Sequence, residues 1–253
     1  MDKALLRALA ADIGITLDAQ ALRRFEIYES FLLEENQKYN LTAVTDSREV
    51  LYKHFFDSLT VVGAYMEQCS EDGAMLPIWS NAPSLLDVGS GAGFPGMCLG
   101  IAYPEWRITL LDSTGKKCRF LEALAERLAL PNIRVICGRA EELGHDTKHR
   151  EQYDIVTARA VARLTVLAEY CLPFCKVGGI CLWPKGERAA EEIAAARDVI
   201  SELGGNSNKI IAKVTKQTPL ADKKCTIFLK KIRPTPTKYP RKQADITKSD
   251  KNR

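Results

Sequence analysis

The stretch Ser84-Leu85-Leu86-Asp87-Val88-Gly89-Ser90-Gly91-Ala92-Gly93-Phe94-Pro95-Gly96 decides the fold. An apolar strand runs directly into a glycine-rich turn, and an apolar helical stretch follows the turn. Glycines at 89, 91 and 93 leave out side chains where a ligand must approach the backbone. The strand–turn–helix order is the context in which such a turn binds a nucleotide-containing ligand. The stretch therefore predicts a ligand-binding loop rather than a plain turn.

Short apolar runs alternate with helical stretches on the C-terminal side of this segment. Such alternation predicts an α/β fold with a mostly parallel sheet covered by helices on both faces. The last two strands are separated only by the short turn Thr218–Asp222, so they should pair as an antiparallel hairpin. The predicted strands are 84–88, 107–111, 133–137, 154–158, 179–183, 209–215 and 225–231, and the predicted helices among them are 95–102, 116–130, 140–143, 163–174 and 187–203.

Composition divides the chain into four segments. Residues 1–66 carry apolar residues at helical spacing, which predicts an N-terminal helical region. Residues 67–83 contain Asp72-Gly73 and two prolines and predict a loop. Residues 84–233 form the predicted Rossmann-like domain. Residues 234–253 are basic and rich in Pro, Lys and Thr, and we expect an extended or disordered tail.

Two ligands compete for the glycine loop. Gly91-x-Gly93-x-x-Gly96 matches a dinucleotide fingerprint, and Asp112 at the end of the second strand suits ribose hydroxyls of either ligand. Asp87, two residues before the first glycine, can engage the cationic methionine end of S-adenosylmethionine. The fingerprint also begins late relative to the strand end, and a terminal hairpin suits a methyltransferase better than a dehydrogenase. These features favour S-adenosylmethionine over NAD.

Composition excludes several classes of protein. Of 253 residues, 46% are hydrophobic and 27% charged, which excludes a disordered or fibrous protein. No run approaches the roughly 18 apolar residues of a membrane span, and the start of the chain lacks a signal-peptide pattern, so we expect a cytoplasmic protein. The eight cysteines form no C-x-x-C pair and lie mostly in apolar runs. We expect no metal site, and without a coiled coil or interface repeat we expect a monomer.

The net charge of +4 conceals an asymmetry. Residues 206–253 contain 14 Lys and Arg against 3 Asp and Glu, so the rest of the chain is acidic. A basic C-terminal end on an acidic body indicates a polyanionic partner, most simply nucleic acid. A solubilising tail is the alternative.

The chain resembles the ribosomal small-subunit RNA methyltransferase G family, also called glucose-inhibited division protein B, from about Phe25 to Lys242. Each motif is short, and their order and spacing make the resemblance specific. The matching segments are Lys38-Tyr39-Asn40-Leu41-Thr42, His54-Phe55-Phe56-Asp57-Ser58, Asp87 to Gly96, Leu110-Leu111-Asp112-Ser113, Arg139-Ala140-Glu141-Glu142, Asp154 through Arg159-Ala160, Lys185-Gly186 and Lys238-Tyr239-Pro240-Arg241-Lys242.

The resemblance implies a class I S-adenosylmethionine-dependent methyltransferase fold with an N-terminal helical extension. It also implies methyl transfer to N7 of one guanine in the decoding region of 16S ribosomal RNA, with the small ribosomal subunit as partner. An NAD-dependent oxidoreductase and a non-catalytic RNA-binding protein are the alternatives. The implied cofactor-binding residues are Gly89, Gly91, Gly93, Phe94, Asp112, Ala140, Glu141 and Arg159.

Each candidate has a plainer interpretation. Phe94 could occupy a core position, Asp112 could cap a helix, and Glu141 could lie at the solvated start of a helix. Arg159 could contact substrate RNA or form an ion pair with Asp154 or Glu169. A neutral guanine N7 already offers a lone pair, so we assign no catalytic acid, base or covalent cysteine.

Two further sets of residues are open. His54 shares a helix face with Asp57 and Ser58 and either braces the N-terminal helices or takes part in catalysis. The candidate phosphate contacts, each equally suited to a solvated surface, are Lys185, Arg188, Lys238, Arg241 and Lys242.

Overall fold

A computed structural model describes residues 1–72, 82–216 and 224–251. Its centre is one sheet of seven strands: β1 (Ser84–Val88), β2 (Arg107–Asp112), β3 (Ile133–Cys137), β4 (Tyr153–Thr157), β5 (Cys175–Lys185), β6 (Gly205–Val214) and β7 (Cys225–Lys231). The strand order is β3-β2-β1-β4-β5-β7-β6. The first five strands are parallel, and β7 runs antiparallel to both β5 and β6. The predicted class I methyltransferase fold is confirmed.

Helices cover both faces of the sheet. A π-helical turn (Leu51–Phe56) precedes α4. The helices are α1 (Lys3–Ala11), α2 (Ala19–Tyr39), α3 (Ser47–Val50), α4 (Asp57–Asp72), α5 (Gly96–Ala102), α6 (Gly115–Arg127), α7 (Ala140–Leu143), α8 (Leu164–Cys171), α9 (Ala189–Glu202) and α10 (Gln243–Lys251). Among the described residues, none of these helices is long and apolar enough to cross a bilayer.

Two hydrophobic cores hold the layers together. The N-terminal helices pack with α5 and α6 on one face, around Phe25, Phe55 and Leu99, all fully buried. On the other face α8 and α9 pack around Leu167 and Trp183. Fully burying a large apolar side chain contributes about 1.5–3 kcal/mol. The N-terminal helical region is therefore part of the main core rather than an appended module.

Strand prediction is accurate where apolar runs end at turn residues. β1, β3 and β7 have the predicted bounds, whereas β5 begins at Cys175 rather than at 179. Gly178 and Gly179 lie inside β5, beside an irregularity in its pairing with β4, and this hid the first part of the strand. α4 continues to Asp72, six residues into the predicted loop. The predicted turn Thr218–Asp222 lies outside the described residues.

The C-terminal segment, residues 234–251, differs most from prediction; we call it the C-terminal strap. It is packed rather than extended or disordered, and it ends in α10. Arg150 donates hydrogen bonds to the carbonyls of Thr235 and Tyr239, both at 2.7 Å, and of Pro236 at 3.1 Å. Local composition could not reveal this, because the donor lies 85–89 residues earlier in the chain.

Candidate functional site

The glycine loop is tied to the end of the neighbouring strand. The N–H groups of Gly89 and Ser90 donate to the carbonyl of Leu111 at 2.8 and 3.0 Å. The N–H of Gly91 donates to Oδ2 of Asp112 at 2.9 Å, and the N–H of Thr114 donates to Oδ1 at 2.8 Å. The carboxylate of Asp112 therefore fixes both the loop and the start of α6.

The glycines of this loop serve different purposes. Gly91 has a φ of +60°, and among the described residues a Cβ there would meet only the Gly89 carbonyl oxygen, at 3.9 Å. A Cβ on Gly93 would lie 2.6 Å from the Tyr28 hydroxyl, whereas one on Gly89 would lie 2.7 Å from Cγ2 of Val161. Open space above Gly91 is what a ligand cradle requires. The missing side chain of Gly93 accommodates α2 instead.

Two matched substitutions separate these purposes. We expect Gly91→Ala to weaken binding of S-adenosylmethionine at least tenfold, because the new methyl group enters the cradle. It should cost only the ~1–2 kcal/mol of a left-handed alanine in stability. Gly93→Ala carries the same kind of backbone cost and also displaces Tyr28, so it should lower the melting temperature more. Calorimetric titration and thermal unfolding of both variants measure this; equal melting temperatures would contradict it.

A cleft opens at the carboxyl edge of the sheet beside this loop. Of the predicted cofactor residues, it brings together Gly89, Asp112, Ala140 and Glu141. Gly91, Gly93, Phe94 and Arg159 do not line it. The cleft also contains residues that sequence reasoning did not select: Val88, Leu111, Ser113, Gly138, Arg139, Val161, Tyr170 and Gln243. Ser113, Gly138 and Arg139 adjoin predicted residues, but Tyr170 and Gln243 come from α8 and α10 and carry no local signal.

The residues present fit S-adenosylmethionine. Asp112, only 5% exposed, presents a fixed carboxylate at the end of β2, the position that binds ribose hydroxyls in folds of this type. Asp87 is fully buried, and its Oδ2 accepts from the N–H of Gly96 at 2.9 Å. Its Oδ1 has no hydrogen-bond partner among the described residues. Burial raises the pKa of this carboxyl to about 6. A cationic ligand at the loop would stabilise its ionised form.

A second group of polar residues lies beside the loop; we call His54, Asp57, Phe94, Arg159 and Lys224 the Arg159 cluster. Arg159 Nη1 donates to Oδ2 of Asp57 at 2.7 Å, and Lys224 Nζ donates to Oδ1 at 2.8 Å. The guanidinium of Arg159 lies 4.9 Å from the Phe94 ring centroid. The imidazole of His54 stacks on the same ring with centroids 4.5 Å apart. The ion-pair partner of Arg159 is thus Asp57, not Asp154 or Glu169.

The π-helical turn places His54 in this cluster. π-Turns occur frequently at functional sites. Nε2 of His54 lies 2.8 Å from the Thr42 hydroxyl, and Nδ1 lies 3.2 Å from the Lys53 carbonyl oxygen. Burial, reinforced by the Arg159 charge, lowers the pKa of His54 to about 4. His54 is therefore a neutral, hydrogen-bonded side chain that braces the N-terminal helices against the loop.

The candidate phosphate contacts divide into two sets. Lys185, Lys238 and Arg241 form ion pairs with Glu192, Glu202 and Glu169, with N–O distances of 2.7, 2.8 and 2.7 Å respectively. Arg188 and Lys242 are exposed.

The described residues contain no group of three or more His, Cys, Asp or Glu side chains that could hold a metal ion.

Comparisons with known proteins agree on one family. The family described as rRNA small subunit methyltransferase G matches residues 21–221. The ribosomal RNA small subunit methyltransferase G of Alkaliphilus metalliredigens is 40% identical over 247 residues, 97% of each chain. That of Pelotomaculum thermopropionicum is 45% identical over 233 residues, 92% of each chain.

Among solved structures, the chain is similar to a Thermus thermophilus 16S rRNA N2 G1207 methyltransferase in complex with AdoMet and guanosine. The TM-score is 0.44 at 15% identity, over 65% of this chain and 38% of that one. A similarity this low carries no weight for function, whereas the family match and the identities to full-length relatives do. The chain belongs to the rRNA small subunit methyltransferase G family.

Proposed function

We propose that the protein transfers the methyl group of S-adenosylmethionine to N7 of one guanine in the decoding region of 16S ribosomal RNA. The observation that supports N7 is the chemistry of the Arg159 cluster, where the Asp57 carboxylate accepts hydrogen bonds from two cations and the His54 imidazole is neutral. We further propose that the protein acts in the cytoplasm, as a monomer, on the small ribosomal subunit or its RNA.

Family membership sets aside the two alternatives raised by the sequence, an NAD-dependent oxidoreductase and a non-catalytic RNA-binding protein. The protein is an rRNA methyltransferase, and its cofactor is S-adenosylmethionine. The groups beside the glycine loop bear on which atom of the RNA accepts the methyl group.

Asp57, His54 and Asp87, which lie beside the loop, are poorly suited to act as a general base. Both oxygens of Asp57 accept hydrogen bonds from cations. His54 has a pKa of about 4, which makes it a weak base at neutral pH. Asp87 has no exposed surface. These three groups are poorly suited to deprotonate a nucleophile. Guanine N7 needs no deprotonation, because it attacks through a lone pair that it already has.

Cys98 is poorly suited to covalent catalysis. Cys98 lies next to the Arg159 cluster, fully buried, and desolvation raises the pKa of its thiol to about 12. The thiolate is the nucleophilic form of cysteine, so Cys98 is inert at neutral pH. Methyl transfer to a carbon atom through an adduct with Cys98 is thereby disfavoured.

The chain's own residues bind the cofactor and align it with the target base. S-adenosylmethionine supplies an activated methyl group on a sulfonium. We assign the cradle to Gly89 and Gly91, the ribose contact to Asp112 and the base-side contacts to Ala140 and Glu141. Gly93 and Phe94 shape the loop from beneath, and Arg159, held by Asp57, lies against the Phe94 ring. Holding two reactants in line supplies up to about 7–11 kcal/mol of the barrier in well-oriented systems, so no acid or base is needed.

Substrate RNA would approach the glycine loop and the cleft beside it. Arg188 and Lys242 remain our candidate phosphate contacts because both are exposed. The ion pairs of Lys185, Lys238 and Arg241 with acidic side chains favour structural roles for these three residues, and any phosphate contact would have to compete with those pairs.

The function is tested by methyl transfer to 30S subunits from cells that lack this activity. S-adenosylmethionine labelled in the methyl group is supplied, the 16S RNA is digested and the labelled nucleoside is identified. We expect label in 7-methylguanosine at one position. Label in another nucleoside would contradict the assignment of N7, and naked 16S RNA in parallel distinguishes free RNA from the subunit as substrate.

A further inference from the structure

The C-terminal strap reaches the cofactor cleft. Gln243, the first residue of α10, lines the cleft together with Arg139 and Glu141 of the β3–α7 connection. Oε1 of Gln243 accepts a hydrogen bond from Nη1 of Arg139 at 2.7 Å, and the same Nη1 lies 3.5 Å from Oε1 of Glu141. A residue 104 positions away in the chain thus closes one wall of the cleft.

The order of the strands identifies which end of the cofactor lies at this wall. The glycine loop follows β1, Asp112 ends β2, and the Gly138–Glu141 connection follows β3; these three strands are neighbours in that order. In folds of this type the acid at the end of the second strand binds ribose, and ligands lie across the carboxyl ends of the strands. Beyond the ribose, the next connection faces the nucleobase. Gln243 would therefore face the adenine end of a bound cofactor.

The strap is firmly held just before Gln243. Glu169 of α8 is fully buried, and its Oε1 accepts from the backbone N–H of Arg241 at 2.7 Å. Nε and Nη2 of Arg241 donate to the same carboxylate, the latter at 2.7 Å. Ile246, one turn after Gln243, is 2% exposed. Anchors on both sides thus fix the backbone that carries Gln243.

We propose that Gln243 is a cofactor-binding residue that contacts the adenine ring, and that the strap is the outer wall of the cofactor cleft. Since its Oε1 is engaged by Arg139, the amide NH₂ group remains to donate to a ring nitrogen of adenine. The basic strap thus serves the cofactor through this amide, while two of its cations, Lys238 and Arg241, pair with acids of the protein itself.

The test is calorimetric titration of the full-length protein with S-adenosylhomocysteine, which shares the adenine. Gln243→Leu keeps similar bulk and removes the amide; we expect affinity to fall about three- to tenfold, the effect of one hydrogen bond. The melting temperature without ligand should change little, whereas the rise on adding ligand should shrink. Lys248→Ala, which removes an exposed cation from the same helix, is the matched control and should bind S-adenosylhomocysteine normally.

A double-mutant cycle of Arg139 and Gln243 supplies a second measurement. Because Arg139 orients the amide, Arg139→Leu and Gln243→Leu should be non-additive in the affinity for S-adenosylhomocysteine. Full affinity in Gln243→Leu would overturn the proposal. So would normal cofactor affinity with weakened binding of 16S RNA, which would assign the strap to the substrate. These titrations do not depend on which atom of the RNA is methylated, so the two proposals fail separately.

Discussion

Asp112→Ala is expected to weaken S-adenosylmethionine binding by about 100-fold or more. Each hydrogen bond from a ribose hydroxyl to a carboxylate contributes about 1.5–3 kcal/mol, and two such bonds correspond to at least two powers of ten. The same substitution removes the acceptor that holds the N–H groups of Gly91 and Thr114, so the cradle loosens as well. Calorimetric titration measures the affinity directly, and methyl transfer at limiting cofactor should fall in parallel.

Asp154 provides the matched control. Its carboxylate accepts from the Ser84 N–H at 2.9 Å and from Lys176 at 2.8 Å, but it lies at the opposite edge of the sheet. Asp154→Ala should therefore lower stability and leave the cofactor affinity unchanged. Comparable affinity losses in the two variants would mean that Asp112 acts through the fold alone and would contradict its ribose role.

Asp57→Ala is expected to destabilise the protein by about 3–5 kcal/mol, the usual cost of removing one partner of a buried ion pair. The Asp57 side chain is 6% exposed and that of Arg159 15%, and both Arg159 and Lys224 would lose their shared anion. Two uncompensated positive charges would then repel each other beside the glycine loop. Urea unfolding should show a lower midpoint, and methyl transfer should fall because Arg159 is no longer held against Phe94 of the loop.

Glu49 offers an exposed ion pair for comparison. Lys53 and Glu49 pair across one turn at 2.6 Å, with side chains 36% and 37% exposed. Such surface pairs contribute about 0–1 kcal/mol, so Glu49→Ala should barely move the midpoint. If Asp57→Ala costs as little, the Arg159 cluster is effectively solvated. The triple variant Asp57→Ala, Arg159→Met, Lys224→Met should recover part of the loss, since it removes the unpaired charges.

The fold was predictable because its signals are local. The alternation of apolar strands and helical stretches, and the direct run from Val88 into Gly89, are each readable within about a dozen residues. The antiparallel β7 followed from the short connection to β6. Where local signals conflict, prediction fails: β5 contains two glycines and Pro184, so its true length was hidden.

The candidate site was predictable only in part, because half of it depends on distant contacts. The ends of two strands predict the positions of three site residues. Asp112 lies at the end of β2, and Ala140 and Glu141 follow the short connection after β3. Nothing near Asp57 in the sequence reveals that it pairs with Arg159, 102 residues later. Gln243 lies in a segment whose composition predicts disorder, and only its anchors elsewhere, Glu169 and Arg150, make it ordered. Composition indicates how a segment behaves in isolation. It does not include the tertiary contacts through which the rest of the protein orders that segment.

The anchoring of the C-terminal strap has a consequence for biosynthesis. A chain emerges from the ribosome N-terminus first, and domains fold as units. When β7 has emerged, the sheet can form, yet the carboxylate of Glu169 still lacks Arg241. Arg150 likewise awaits the carbonyls of Thr235 and Tyr239. A nascent or prematurely terminated chain therefore lacks the partners that the Glu169 carboxylate and the Arg150 guanidinium have in the complete fold. Completion of translation supplies these partners.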